Sequence, residues 1–107
     1  MSTIFEVLAE PNRQRILDLL REGERPVGEI VDALGMSQPA VSKHLRVLKE
    51  AGLVDVRAEA QRRLYSVRPE PLMELDAWLA SYRRLWEEKL DRLEQLLRAV
   101  QSEEEDR

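Results

Sequence analysis

The sequence predicts a mainly α-helical fold with one small β-hairpin and a long C-terminal helix. Apolar residues recur at helical spacing over most of the chain, and the spacing changes to strict alternation after Gly52. Proline and glycine mark the ends of the predicted elements. From Leu72 to Val100, apolar residues recur every seven residues. The 107 residues are enough for one domain with a modest core.

Four helices are predicted before the hairpin, over residues 3–8, 11–21, 27–34 and 37–51. Pro11 stands at the start of the second, where proline is tolerated. Gly35 lies where a helix commonly ends in a left-handed residue, and Ser37 can cap the next helix. The third and fourth helices, joined by this short turn, indicate a helix-turn-helix.

After this motif, apolar and polar residues alternate. Val54 and Val56 alternate with polar neighbours, as do Tyr65 and Val67, which predicts a two-stranded hairpin with its turn near residues 59–61. One long helix follows, over about residues 72–100. We expect residues 1–101 to form one domain and the charged residues 102–107 to form a disordered acidic tail.

The net charge of −4 hides an uneven distribution. Residues 36–68 carry seven basic and three acidic side chains, a charge of +4, and the remainder therefore carries −8. A basic segment on an acidic chain is typical of a nucleic-acid-binding protein. No signal-peptide pattern and no run of eighteen apolar residues occurs, so we expect a cytoplasmic protein without a membrane partner.

The helix over residues 37–51 has two unlike faces. Val41, Leu45 and Leu48 share one face, and polar or basic residues occupy the other. Such a helix fits the major groove of DNA, where glutamine pairs with adenine and basic side chains with guanine or phosphate. Taken alone, the same pattern also suits an ordinary solvated face. The predicted DNA-binding residues of this helix are Gln38, Pro39, Ser42, Lys43 and Arg46.

The hairpin strengthens the nucleic-acid interpretation. Arg57, Arg62 and Arg63 lie near its tip, where a small core has no use for three guanidinium groups. A hairpin that follows the DNA backbone or enters the minor groove would use them to contact phosphate. We therefore predict that these three arginines bind DNA.

Several motifs resemble, in order and spacing, those of ArsR-type winged helix-turn-helix repressors. Residues 8–17 (LAEPNRQRIL) are similar to the opening of these proteins. Residues 37–48 (SQPAVSKHLRVL) with 51–54 (AGLV) are similar to the recognition helix and first wing strand, and Arg62-Arg63 with Tyr65 to the return strand.

The resemblance implies a homodimer that binds an imperfect palindrome in double-stranded DNA, often in or near its own promoter. It also implies that Gln38, Pro39, Ser42 and Lys43 face the DNA. The wing turn of the family commonly holds a glycine, whereas this chain has Ala60-Gln61.

Metal sensing is not expected. Many ArsR-type proteins bind metals through cysteines in the first helix of the helix-turn-helix, or through aspartate and histidine on the last helix. This chain has no cysteine, and its single histidine, His44, lies in the predicted recognition helix. The chain therefore resembles the metal-independent branch, without metal site or cofactor. A lone histidine and the absence of a glycine-rich phosphate loop also argue against an enzyme.

The last helix carries an apolar stripe too broad for one small domain to cover, which predicts a partner helix. Each seven-residue repeat of this helix has two positions that face the predicted partner, and leucine, tryptophan and tyrosine fill most of them. The first helix is expected to join this interface, as the resemblance implies. The predicted dimerisation residues are Ile4, Phe5, Leu8, Leu72, Leu75, Leu79, Tyr82, Trp86 and Leu93.

Three functions remain open at this stage. The first is a homodimeric DNA-binding repressor. The second is a winged-helix adaptor whose basic face meets an acidic protein. The third is a ligand sensor, with Trp78, Tyr82 and Trp86 lining an inducer pocket at the dimer interface, although aromatic residues at helical spacing usually serve packing, which is the favoured explanation of this stripe. Gln38, Ser42 and the hairpin arginines together favour DNA.

Overall fold

The computed structural model describes residues 3–105. The chain divides into two compact units, one ending at Met73 and the other beginning at Glu74. The fold is mainly α-helical with a small antiparallel sheet, as predicted. In order, the elements are α1 (Ile4–Leu8), α2 (Pro11–Leu20), β1 (Arg25–Pro26), α3 (Val27–Leu34), α4 (Gln38–Glu50), β2 (Val54–Glu59), β3 (Arg62–Val67) and α5 (Glu70–Glu105).

Side-chain caps begin α1, α2 and α4. Gly35 adopts the left-handed conformation (φ 64°) that ends α3, and Ser37 caps α4, so both predicted boundary signals are confirmed. The cap of α2 is the carboxylate of Glu10. The capping oxygens accept backbone N–H groups as follows: Thr3 from Glu6 at 3.2 Å, Glu10 from Arg13 at 2.9 Å, and Ser37 from Ala40 at 3.3 Å.

The core of the first unit joins α1–α4 and β2. Val41, Leu45 and Leu48 of α4 are at most 2% exposed, which confirms the predicted inner face of this helix. Burial of each such side chain contributes about 1.5–3 kcal/mol and fixes the orientation of the opposite face. The buried cluster consists of Val7, Ile16, Leu17, Leu20, Ile30, Val41, Leu45, Leu48, Leu53 and Val54.

The sheet has three strands in the order β1-β3-β2, all antiparallel. The predicted hairpin corresponds to β2 and β3, which we call the wing. Strand β1 is not predicted by the sequence, because two residues cannot show alternation and Pro26 suggests a break. Proline is accepted here because β1 is an edge strand and Pro26 needs no ladder N–H on its outer side.

The turn of the wing contains two residues. Glu59 pairs with Arg62, and Ala60 and Gln61 lie between them. Ala60 has a φ of 54°. A positive φ at a hairpin turn is usually supplied by glycine, asparagine or aspartate, so alanine is unusual at this position.

Helix α5 has 36 residues, none of which is buried. It begins at Glu70 and continues to Glu105, beyond both predicted ends. Residues 102–105 of the predicted tail continue α5 here, because glutamate is a good helix former and each residue added to an existing helix brings one hydrogen bond. Asp106 and Arg107 lie outside the described residues. No helix within residues 3–105 is long and apolar enough to cross a membrane.

Candidate nucleic-acid interface

The outer face of α4 is polar, basic and open to solvent. Its predicted DNA-binding residues, Gln38, Pro39, Ser42, Lys43 and Arg46, are all exposed. Within residues 3–105, no hydrogen bond or ion pair engages the side chain of Lys43 or Arg46. These groups can therefore bind an external acceptor without breaking an internal contact.

The turn before α4 is held by a side chain from α2. Arg15 Nη2 donates to the carbonyl oxygen of Leu34 at 2.9 Å, and Arg15 Nη1 donates to Asn12 Oδ1 at 3.2 Å. The first bond satisfies a carbonyl at the end of α3 that has no helical partner. Arg15 thus links α2 to the turn that precedes α4, a contact that its sequence context did not suggest.

His44 lies on the side of α4 that approaches the start of α2. Its Nδ1 is 3.8 Å from Glu10 Oε2, and its side chain is largely buried. His44 therefore packs within the fold. In the described part of the chain, no group of three histidine, cysteine, aspartate or glutamate side chains is arranged to hold a metal.

The three wing arginines have different surroundings. Arg62 pairs across the strands with Glu59, and Arg63 pairs with Ala58. Side chains alternate between the two faces of a strand, and directly paired residues share a face. Arg57 and Arg62 therefore lie on one face of the wing and Arg63 on the other. The sequence alone does not distinguish Arg62 from Arg63.

Carboxylates surround two of these arginines. Arg57 Nε donates to both oxygens of Glu24, at 2.9 and 3.2 Å, and its Nη2 donates to Glu24 and, at 3.1 Å, to Glu59. Arg62 lies 3.8 Å from Glu59. Hydrogen bonds from Arg57 lower the pKa of Glu24 below its ordinary value, and those to Glu24 raise the pKa of Arg57. Among the described residues, no carboxylate contacts Arg63.

The predicted dimerisation residues differ in how far they are buried. Ile4, Leu8 and Leu72 are partly buried and pack against the core of the first unit. Leu75 and Leu79 are also partly buried, whereas Phe5 is half exposed. The remaining residues, Tyr82, Trp86 and Leu93, are 46%, 42% and 53% exposed.

The apolar face of α5 continues beyond these residues. Trp78 and Tyr82 stack at a tilt, with ring centroids 5.0 Å apart. Together with Trp86 they line a shallow concave surface, and large exposed apolar side chains extend along the helix to Val100. Residues 74–105 of the second unit all belong to α5, so none of these described residues forms an element that covers this face.

Comparisons with known proteins agree with this architecture. Residues 10–56 match the family model "Bacterial regulatory protein, arsR family". The transcriptional repressor SdpR of Bacillus subtilis is 30% identical over 82 residues, which cover 77% of this chain and 91% of SdpR. The arsenic resistance regulator ArsR1 of Pseudomonas putida is 42% identical over 77 residues, 71% of this chain and 60% of that protein.

A solved structure is similar as well. The homodimeric winged helix-turn-helix DNA-binding domain Mb0332 of Mycobacterium bovis is 38% identical, with a TM-score of 0.59 over 73% of this chain and 72% of that one. The family match includes α2, α3 and α4, which build and support the exposed basic face. The chain therefore belongs to the arsR family of bacterial regulatory proteins and is a DNA-binding transcriptional regulator with a winged helix-turn-helix fold.

Proposed function

We propose that the protein is a homodimeric repressor that binds a palindromic operator and is not regulated by metals. The observation that carries this proposal is the outer face of α4. This face presents uncharged hydrogen-bonding groups beside two cations, while the inner face is anchored in the core. An adaptor for an acidic protein would need the two cations but not the uncharged hydrogen-bonding groups beside them.

Each side chain of the interface has a proposed role. Gln38 and Ser42 read base edges in the major groove, because amide and hydroxyl groups can pair with purine edges. Lys43 and Arg46 bind guanine or phosphate. Pro39 lies at the leading end of α4, where it fixes the backbone that enters the groove. Arg62 and Arg63 contact phosphate from the wing.

Assembly follows from the apolar face of α5. A continuous exposed row of tryptophan, tyrosine and leucine is the type of surface that a second copy covers. The homodimeric M. bovis domain supports the same arrangement. Two-fold symmetry would present two α4 helices to successive major grooves, about 34 Å apart, and so select an inverted repeat. Control of its own promoter is part of this proposal.

The proposal of metal independence rests on the donor set. The chain has no cysteine and one histidine, and that histidine is packed beside Glu10. Soft metals prefer thiolate ligands, and zinc sites use cysteine, histidine and carboxylate. The relative ArsR1 is an arsenic resistance regulator, so this feature must be tested directly.

A small-molecule inducer is the second candidate for regulation. The concave surface lined by Trp78, Tyr82 and Trp86 supports it, because exposed aromatic rings can stack on a planar ligand. Such a ligand would bind within the proposed dimer interface and change the affinity for the operator.

The proposal is tested by selecting genomic DNA fragments with the purified protein. We expect an inverted repeat with half-sites about one helical turn apart, including a copy upstream of the protein's own gene. A mobility shift with zinc, cadmium or arsenite at micromolar concentrations should leave operator affinity unchanged. Selected fragments that share no inverted repeat would contradict the proposed palindromic operator. A change in operator affinity of about tenfold that a chelator reverses would contradict metal independence.

A further inference from the structure

We propose that Arg57 is a positioning residue: it clips the wing to the loop before β1 through Glu24, and does not itself contact DNA. The inference rests on the proposed wing–DNA contact and assigns different roles to two of its arginines. Arg57 holds the wing, and Arg63 carries a charge that is available to phosphate. We call the pair of Glu24 and Arg57 the clip.

The clip reaches across the whole sheet. Glu24 immediately precedes β1, whereas Arg57 belongs to β2 on the opposite edge. Adjacent strands are about 4.8 Å apart, so the two backbones are separated by about 10 Å. A long arginine side chain from β2 and a glutamate from the β1 side can span this distance together.

Leu64 lies beneath this span. It pairs with Arg57 on one side and with Pro26 of β1 on the other, so its side chain shares the face on which the clip forms. Leu64 lies on the middle strand of this small sheet and is only 5% exposed. Because Arg57 and Leu64 are register partners on one face of the sheet, the aliphatic part of Arg57 can cover this leucine, as long cationic side chains commonly cover apolar surface.

The geometry distinguishes the clip from an ordinary surface ion pair. Most exposed ion pairs contribute little to stability. The recognised exception is a guanidinium that binds a carboxylate through two donors as part of a network. Arg57 donates from Nε and Nη2 to Glu24 and also binds Glu59. Two carboxylates therefore compensate one guanidinium, and a phosphate would have to displace both.

Arg63 provides the contrast. It lies on the other face of the wing, is exposed, and has no carboxylate partner among residues 3–105. A phosphate contact by Arg63 breaks no internal ion pair. The two arginines should therefore respond differently to substitution, and the difference separates positioning from contact.

The experiment uses the full chain with Glu24→Gln, Arg57→Gln, the double variant, and Arg63→Gln as the matched control. Amide hydrogen exchange in β2 and β3 is measured without DNA. Affinity for a random-sequence duplex is measured over a salt series. The two single substitutions in the clip change the charge in opposite directions, so simple electrostatics predicts opposite effects on DNA binding.

We expect both single substitutions to accelerate exchange in the wing and to weaken DNA binding, each by about two- to fivefold. The double variant should show no faster exchange and no weaker DNA binding than either single variant. Neither clip variant should change the slope of log affinity against log salt, whereas Arg63→Gln should flatten it by about one per protomer.

Two results overturn the inference. In the first, Glu24→Gln tightens DNA binding and Arg57→Gln flattens the salt slope, which makes Arg57 a phosphate contact and Glu24 its competitor. In the second, wing exchange is the same in all variants, so that no clip exists. If the wild-type protein binds no duplex, the proposed function fails, and the exchange data alone decide on the clip.

Discussion

The surroundings of single residues, more than their type, decide what the polar groups of this interface can do. Ser42 and Lys43 project from a helix whose other face is buried, and no described internal partner competes for Lys43. Arg57 has the same charge as Lys43 but is occupied by two carboxylates. The same positive charge therefore has different energetics in α4 and in the wing.

Base reading and phosphate contact can be separated by substitution. Gln38→Ala and Ser42→Ala should reduce the preference for operator over random DNA by about 1–3 kcal/mol per half-site, with little change in salt slope, because neither side chain is charged. Arg63→Ala should weaken both DNAs alike and flatten the slope by about two units per dimer. Affinities for both DNAs across a salt series measure this. Full specificity in the α4 variants would mean that α4 does not read bases.

The Glu24 carboxylate makes part of the stability dependent on pH. Its pKa is lowered in the folded protein, so its contribution is present above the ordinary glutamate pKa of about 4.3 and is lost as pH falls through the lower folded value. We expect wild type to be more stable than Glu24→Gln near neutral pH and the difference to vanish in acid. Urea unfolding at several pH values tests this. Glu88→Gln on α5 is the control, and an equal effect there would contradict a specific contribution of Glu24.

Two elements depart from what the sequence pattern predicts: the wing has an unusual residue in its turn, and the long helix extends further than expected. The wing turn tolerates an alanine where glycine is usual, because the ladder on both sides fixes its ends. Helix α5 continues through a run of glutamates that composition alone suggested to be disordered. In both cases the regular structure that directly adjoins the segment determines its conformation: the strands beside the turn, and the preceding turns of α5 before the glutamates.

Replacing Ala60 by glycine should stabilise the wing. An L-residue in the left-handed region costs about 1–2 kcal/mol, and the flexibility of glycine in the unfolded chain offsets about 0.5–1 kcal/mol of the relief. We therefore expect a net gain of about 0.5–1 kcal/mol in urea unfolding. Ala58→Gly, in the middle of β2, should be destabilising because no positive φ is relieved there. A loss of stability in both variants would show that Ala60 is not strained.

For the whole molecule, assembly connects α5 to DNA binding. Leu79→Asp with Trp86→Asp should convert the proposed dimer to a monomer, because both charges would be buried without partners in the interface. DNA affinity should then fall about a hundredfold or more, since each half-site would bind alone. Gln95→Asp with Gln101→Asp adds the same charge to the polar face and should preserve the dimer. Sedimentation measures both, and a monomeric wild type at tens of micromolar would refute the assembly.

Local signals predicted the helix-turn-helix well. Gly35 and Ser37 act through their own backbone and side chain, and the apolar spacing of Val41, Leu45 and Leu48 defines the buried face. The exposed face of α4 follows from the same spacing. These features depend on residues within one or two helical turns, which is why a single sequence reveals them.

Long-range features could not be predicted in the same way. Glu24 and Arg57 are 33 residues apart, and only the register of β3 with both neighbouring strands brings them together. The two-residue strand β1 has no pattern of its own. The separation of Arg62 from Arg63 also depends on register, because a shift of one residue would exchange their faces.

The uncovered face of α5 bears on how long a copy of this protein survives in a cell. Before it pairs, each newly made chain displays the tryptophan and leucine side chains that chaperones and proteases bind. In the proposed dimer these side chains would be covered, so we expect copies that meet a partner to be degraded more slowly than solitary copies. Half-life would then increase with concentration, and a modest rise in synthesis would yield a more than proportional rise in assembled regulator.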